Sequence, residues 1–111
     1  MSAVLFLLIK KFLLLLACHF LGDYGLQNAW MAALKGKEWH PMFAHVTTYA
    51  AVFALLFSFP TLTFDPCALL FILCSHLLID ICKARLNLFS DLIDQGLHFL
   101  CLGIVLAMGW I

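Results

Sequence analysis

Residues 12–27 read FLLLLACHFLGDYGLQ, an apolar run in which His19, Asp23 and Gln27 occur at every fourth position. Side chains four residues apart lie on the same face of an α-helix. Two later apolar runs carry similar polar stripes, namely His76, Asp80 and Lys83 in one and Asp94 and His98 in the other. Because ionisable groups enter hydrocarbon only at a high cost in free energy, such stripes indicate a functional site inside a membrane protein.

The composition is that of an integral membrane protein. Hydrophobic residues make up 66% of the 111 positions, charged residues make up 11%, and the mean hydropathy is +1.10. Soluble domains, by contrast, are about half apolar and about a quarter charged. A spanning helix needs about 20 apolar residues, so the chain has room for four spans and short loops. A formal net charge of zero provides no basic surface for nucleic acid.

The pattern of apolar runs and breaks predicts an all-α fold, a polytopic membrane four-helix bundle. The predicted helices cover, approximately, residues 2–34, 41–59, 66–86 and 91–111, within a single transmembrane domain over residues 1–111. Pro41 suits the first turn of the second helix, and Asp65 followed by Pro66 marks the start of the third. Lys10 and Lys11 interrupt the first apolar run, so we expect that segment to be retained and not cleaved as a signal peptide.

Polar side chains from all four predicted helices fall in one leaflet when depth is counted at about 1.5 Å per residue from the first and third connections. The basic residues Lys35, Lys37 and Arg85 at these connections predict that this leaflet is the cytoplasmic one. Histidine and aspartate are suitable ligands for zinc, iron and manganese. The sequence therefore predicts a divalent metal site, with zinc as the expected ion, whose ligands are His19, His45, His76, Asp80, Asp94 and His98.

Two further residues are assigned catalytic roles. Asp23 is expected to act as a general base on a metal-bound water, and Lys83 to stabilise an anionic substrate or transition state. The charge balance supports a bound cation. With neutral histidines, the three aspartates and Lys83 carry two net negative charges, which one divalent ion would neutralise.

Structural interpretations stay open for several of these residues. His19, which lies deepest, is also explained as a hydrogen-bonded polar core residue, and Asp80 with Lys83 as an ion pair. Three amides are candidates for hydrogen bonds between helices, namely Gln27, Asn28 and Gln95.

The motifs taken together are specific. They are His19-x-x-x-Asp23-Tyr24-x-Leu26-Gln27 with Trp30 and Lys35 after it, His45, His76-x-x-x-Asp80-x-x-Lys83, and Asp94-Gln95-x-x-His98. Over residues 17–99 this pattern resembles a family of small bacterial and phage membrane proteins known only as a domain of unknown function. It is more distantly similar to bacterial membrane-bound metal-dependent hydrolases, although the chain lacks their His-Arg and Thr-His-Ser runs. These resemblances imply a multi-pass protein of the bacterial inner membrane.

Three functions fit the sequence. The first is a metal-dependent membrane hydrolase that acts on a lipid-linked or lipophilic substrate. The second is a proton or cation pathway, or a small transporter, that works as a homo-oligomer. The third is a structural or regulatory membrane subunit. The expected partners are the lipid bilayer, a lipophilic substrate and further copies of the chain, and no nucleic acid is expected.

Overall fold

The structure, a computed structural model, describes residues 2–58 and 65–111, and the regular elements of these residues are helical. The five α-helices are α1 (Ala3–Phe20), α2 (Ala29–Leu34), α3 (Trp39–Ser58), α4 (Pro66–Asp80) and α5 (Asp91–Ala107). A π-helical turn follows α1 at Leu21–Gly25, and another follows α4 at Ile81–Arg85. The predicted all-α class is confirmed, with five α-helices in this part of the chain where the sequence predicted four. The predicted end of the second helix at residue 59 lies outside the described residues.

The first predicted helix, over residues 2–34, is interrupted in the structure. The chain leaves the π-helical turn at Leu26, and helical structure resumes only at Ala29. The Asn28 side chain caps α2 by accepting a hydrogen bond from the Met31 amide at 2.9 Å. Gly22 and Gly25 lower the helix propensity before the break, and asparagine favours a cap over a helix interior. The local sequence therefore favours an interruption here.

The last helix ends at Ala107, before the predicted residue 111. Gly109 adopts a φ of 70°, and its amide donates to the Leu106 carbonyl at 3.1 Å. The Trp110 amide donates to the Val105 carbonyl at 3.3 Å. This pair of hydrogen bonds is the Schellman termination, which requires a left-handed residue that glycine adopts without strain.

Four helices surround a common interior. Contacts join α1 to α3, α3 to α4, α4 to α5 and α5 to α1, while α2 packs on α3. The apolar core consists mainly of Leu15, Cys18, Tyr49, Ala50, Phe53, Ala68, Ile72, Leu102 and Val105. On α1 and α4 these residues precede the polar stripes, and on α3 and α5 they follow them. The interior is therefore apolar in one half of its length and polar in the other.

Among residues 2–58 and 65–111, three segments are long and apolar enough to cross a membrane. They are Ala3–Gly25, Trp39–Ser58 and Pro66–Arg85. The helix α5 is shorter, at 17 residues.

Two connections meet at the polar end of the interior. The Arg85 guanidinium lies 3.9 Å from the centre of the Trp39 ring, an arrangement typical of cation–π contacts. Gly36 approaches the backbone of Ala84 so closely that an added Cβ would lie 2.7 Å from the Ala84 carbonyl oxygen. Gly36 therefore permits the connection after α2 to pack against the π-helical turn after α4.

Replacing Gly36 by alanine is expected to destabilise the protein. The obstructing atom is a backbone oxygen that cannot rotate away, and overpacking of this kind costs about 1–3 kcal/mol. The measurement is the midpoint of thermal unfolding in detergent. The matched control is Gly103→Ala, because a Cβ there meets no described atom within 4 Å. An unchanged midpoint for Gly36→Ala would show that this close approach does not constrain the fold.

Candidate metal centre

Seven ionisable side chains meet at the polar end of the interior, and all seven are buried. They come from α1 and its π-helical turn, α3, α4 and α5, and are His19, Asp23, His45, His76, Asp80, Asp94 and His98. The three carboxylates retain only 3–7% of their exposure. The converging helix ends thus place three acidic groups and four imidazoles in one water-poor space, where each charge needs a partner.

One group of four ligand atoms forms what we call the inner cluster, from Asp23, His45, His76 and Asp80. The two imidazole Nε2 atoms lie 3.0 Å apart. The His45 Nε2 lies 3.2 Å from Oδ1 of Asp23 and 3.1 Å from Oδ2 of Asp80. The His76 Nε2 lies 3.5 Å from each of the same two oxygens. All four atoms therefore surround a common point.

A second group, the outer cluster, consists of Asp23, Asp94 and His98. The His98 Nε2 lies 3.5 Å from Oδ1 of Asp94. It also lies 3.3 Å from Oδ1 of Asp80, the carboxylate oxygen that does not face the inner cluster. The two clusters are thus adjacent, since they share Asp23, and Asp80 of the inner cluster contacts His98 of the outer cluster.

His19 lies beside the outer cluster and has hydrogen-bond partners on both ring nitrogens. Its Nδ1 lies 2.8 Å from the Tyr49 hydroxyl, and its Nε2 lies 2.7 Å from Oε1 of Gln95. The Nε2 is 3.8 Å from Oδ2 of Asp23. In this arrangement Gln95 stands between His19 and the other predicted ligands, since its amide nitrogen donates to both Asp23 and Asp94 at 3.1 Å.

The two lysines at this end have different partners. The Lys35 ammonium donates to Oδ2 of Asp80 at 3.2 Å, so the connection after α2 supplies the cation nearest the inner cluster. Lys83 instead forms an ion pair with Asp91, whose side chain is largely exposed. The sequence offered Lys83 as a partner for Asp80, and the structure gives that position to Lys35.

A polar pocket of about 290 Å³ opens beside the outer cluster. Asp23, Asp94 and Gln95 line it from the interior, and Lys35 and Lys83 contribute its cationic lining. The remaining lining residues are Tyr24, Gln27 and Asp91. The pocket gives the buried carboxylates a route to the exterior and brings both lysines within the same enclosure.

Sequence reasoning missed two contributors, Lys35 and Tyr49. Tyr49 touches His19 through its hydroxyl, and its ring stacks on His76 with centroids 3.7 Å apart. A neutral residue within an apolar run gives no signal of unpaired charge, and the packing of a loop lysine on α4 depends on tertiary structure. The sequence does contain one signal for the arrangement of the histidines and aspartates, although it identifies neither Lys35 nor Tyr49. The order His-x-x-x-Asp followed by a histidine on the next long helix occurs twice, once for each half of the chain.

Replacing Tyr49 by phenylalanine is expected to destabilise the protein while leaving the ring packed on His76. The change removes the oxygen that lies 2.8 Å from the buried Nδ1 of His19. Leaving a buried polar group unpaired costs about 1–3 kcal/mol. The measurement is again the thermal unfolding midpoint. Tyr24→Phe is the matched control, because Tyr24 is 55% exposed. Equal midpoints for the two variants would contradict the role of the hydroxyl.

The comparisons with known proteins identify a family. The family described as "Protein of unknown function (DUF3307)" matches residues 11–111, which contain both clusters and the pocket. No curated protein and no solved structure matches the chain. Because the match covers most of the sequence, the chain belongs to the DUF3307 family.

Proposed function

We propose that this chain is an integral membrane protein whose four long helices α1, α3, α4 and α5 form a transmembrane four-helix bundle. A 17-residue helix such as α5 is about 26 Å long, close to the roughly 30 Å hydrocarbon core. Its outward face is apolar, with Leu92, Ile93 and Leu100 all exposed. These side chains favour contact with lipid, and the bacterial inner membrane is the location that we propose.

The bundle, in this proposal, holds a divalent metal ion in the inner cluster. Four ligands about 2.0–2.2 Å from a tetrahedral zinc ion lie about 3.3–3.6 Å from one another. Five of the six separations within the inner cluster are 3.0–3.5 Å. Two of these separations, 3.5 Å each, fall within that range, and the other three are 0.1–0.3 Å shorter. This closeness is the observation that carries the proposal, since histidine nitrogen and aspartate oxygen are both zinc ligands.

Charge supports the same assignment. Asp23, Asp80 and Asp94 supply three negative charges if ionised, and Lys35 returns one. With neutral histidines, one divalent ion would neutralise the group. Without it, protonated imidazoles would have to balance the two excess negative charges, because uncompensated buried charges cost several kcal/mol.

The activity that we propose is metal-dependent hydrolysis of a lipid-linked or lipophilic substrate. A divalent ion held by the inner cluster would supply Lewis-acid chemistry, in which the scissile group is polarised and water is activated at neutral pH. The water oxygen would bond to the electrophilic atom while a carboxylate accepts its proton, and the carboxylate would pass that proton to the leaving oxygen as the bond to the leaving group breaks. Asp23 is the proposed general base because it lines the pocket, and Lys83 is the proposed contact for an anionic substrate.

The distribution of polarity favours a site over a transmembrane pathway. In the described residues, the half of the interior beyond the clusters contains Leu15, Phe53, Ile72, Leu102 and Val105, all buried. A proton or cation route requires polar groups or water along its whole length. This observation supports the hydrolase over the pathway.

Purified protein is expected to contain a tightly bound divalent metal, detected by elemental analysis. His76→Ala should lose it, because the variant lacks a ligand that lies within 3.5 Å of three other donors. Loss of one ligand or its support typically reduces metal affinity or activity about 10–100-fold or more. His40→Ala is the matched control, since His40 is exposed and contacts Trp30 outside the clusters. If the wild-type protein and both variants contained no metal after mild purification, the proposed metal centre would be contradicted.

Hydrolysis is tested separately from binding. Long-chain phosphate and carboxylate esters in mixed micelles are incubated with the metal-loaded protein and with chelated protein. We expect turnover only with metal, and a lower rate in Lys83→Gln for anionic substrates. Turnover that is unaffected by chelation would contradict the proposed mechanism.

A further inference from the structure

Asp23 and Asp80 each direct one carboxylate oxygen toward the inner cluster and the other oxygen away from it. Oδ1 of Asp23 faces His45 and His76, whereas its Oδ2 lies 3.1 Å from the Gln95 amide nitrogen and 3.8 Å from His19. Oδ2 of Asp80 faces the same two histidines, whereas its Oδ1 lies 3.3 Å from His98. One ion in the inner cluster would therefore use one oxygen of each carboxylate and leave the other oxygen of each directed at the outer cluster.

The outer cluster has donor atoms without hydrogen bonds. Among the described residues, Nε2 of His98 and Oδ1 of Asp94 are buried and have no hydrogen-bond partner, although they lie 3.5 Å apart. His98 is only 2% exposed. The same Nε2 also lies 3.3 Å from Oδ1 of Asp80. Buried polar atoms are nearly always paired, and a cation between these three atoms would pair the imidazole nitrogen and both carboxylate oxygens at once.

We propose that the protein binds a second divalent ion in the outer cluster, bridged to the first by Asp23 and Asp80. Asp94 and His98 complete its ligand set. With both ions bound, both oxygens of Asp23 are ligands, so the general-base role proposed for Asp23 applies to the form that holds the inner ion alone. This inference rests on the proposed function, because it assumes that the inner cluster holds metal. Paired ions about 3.5–4 Å apart are a recurrent arrangement in enzymes that cleave phosphate esters and peptide bonds.

The order of ligands in the sequence supports two equivalent halves. In the first half, His-x-x-x-Asp on α1 and its π-helical turn is followed by His45 on α3. In the second half, the same motif on α4 is followed by His98 on α5. In this comparison α1 corresponds to α4, and α3 corresponds to α5. The helix contacts agree with it, because the contact of α1 with α3 is matched by that of α4 with α5, and the contact of α3 with α4 by that of α5 with α1. His98 is thus the counterpart of His45, which belongs to the inner cluster.

The second ion changes what the pocket attracts. Three carboxylates and Lys35 are neutralised by the first divalent ion, so the second leaves the centre with excess positive charge. Asp94, which belongs to the outer cluster alone, lines the pocket together with the shared Asp23 and with Lys35 and Lys83. The other cluster residues, His45, His76, Asp80 and His98, do not line it. The outer ion therefore faces the pocket, and its positive charge favours the binding of an anionic ligand there. A phosphate group, which binds both metal ions and lysines, is the ligand class that fits.

The first test is metal stoichiometry in the full-length, detergent-solubilised protein after loading with manganese. We expect two ions per chain in the wild type and one in Asp94→Asn, which keeps the size of the side chain. His98→Gln provides a second variant with the same expectation. Asp65→Asn is the matched control and should retain two ions, because Asp65 caps α4 and asparagine caps equally well.

The second test is the electron paramagnetic resonance spectrum of the manganese-loaded protein. Bridged ions are expected to give an exchange-coupled spectrum in the wild type and an isolated-ion spectrum in Asp94→Asn. Addition of inorganic phosphate should perturb the wild-type spectrum, since phosphate would ligate the outer ion.

The outcomes separate the two proposals. One ion per chain in the wild type, with an isolated-ion spectrum, would overturn the second site and leave the inner metal centre standing. No bound metal would overturn both. Two ions with a spectrum that phosphate does not change would contradict the assigned ligand class.

Discussion

The mutual compensation of buried carboxylates and imidazoles is the constraint on which the rest of this structure depends. Asp23, Asp80 and Asp94 lie in an interior that excludes most water, and an isolated charge there would be prohibitive. Each aspartate lies within about 3.5 Å of an imidazole nitrogen, and Asp80 also accepts a hydrogen bond from Lys35. The helices can pack against one another at this end only if all these groups converge.

The alternating direction of the helices achieves this convergence. On α1 and α4 the polar residues follow the apolar ones, and on α3 and α5 they precede them, so antiparallel packing brings all the polar segments to one end. The polar stripes of α1 and α4 both end at a π-helical turn, at Leu21–Gly25 and at Ile81–Arg85. Such turns widen the helix locally and are frequent at functional sites, because they alter the direction of nearby side chains.

Much of this arrangement could be predicted from the sequence, because the spacing of the polar residues and their depth along each helix depend only on the sequence of that helix. The i, i+4 pairs His76 with Asp80 and Asp94 with His98 fix which face each helix turns inward, and the burial cost of charge requires those faces to meet. The partner of Asp80 could not be predicted in the same way. Lys83 lies nearer in sequence, but the close packing of Gly36 on Ala84 brings Lys35 to the carboxylate. That contact joins residues far apart in the chain.

Gly22 has a consequence for the geometry of the histidines. A Cβ at this position would lie 2.9 Å from the Tyr49 ring and 3.1 Å from its Cα. The same tyrosine holds His19 by its hydroxyl and supports His76 by its ring face. The absence of a side chain at Gly22 therefore lets the π-helical turn after α1 approach α3 closely. The separation of these helices sets the positions of two imidazoles from opposite halves of the molecule, so any increase at this point would be transmitted to both.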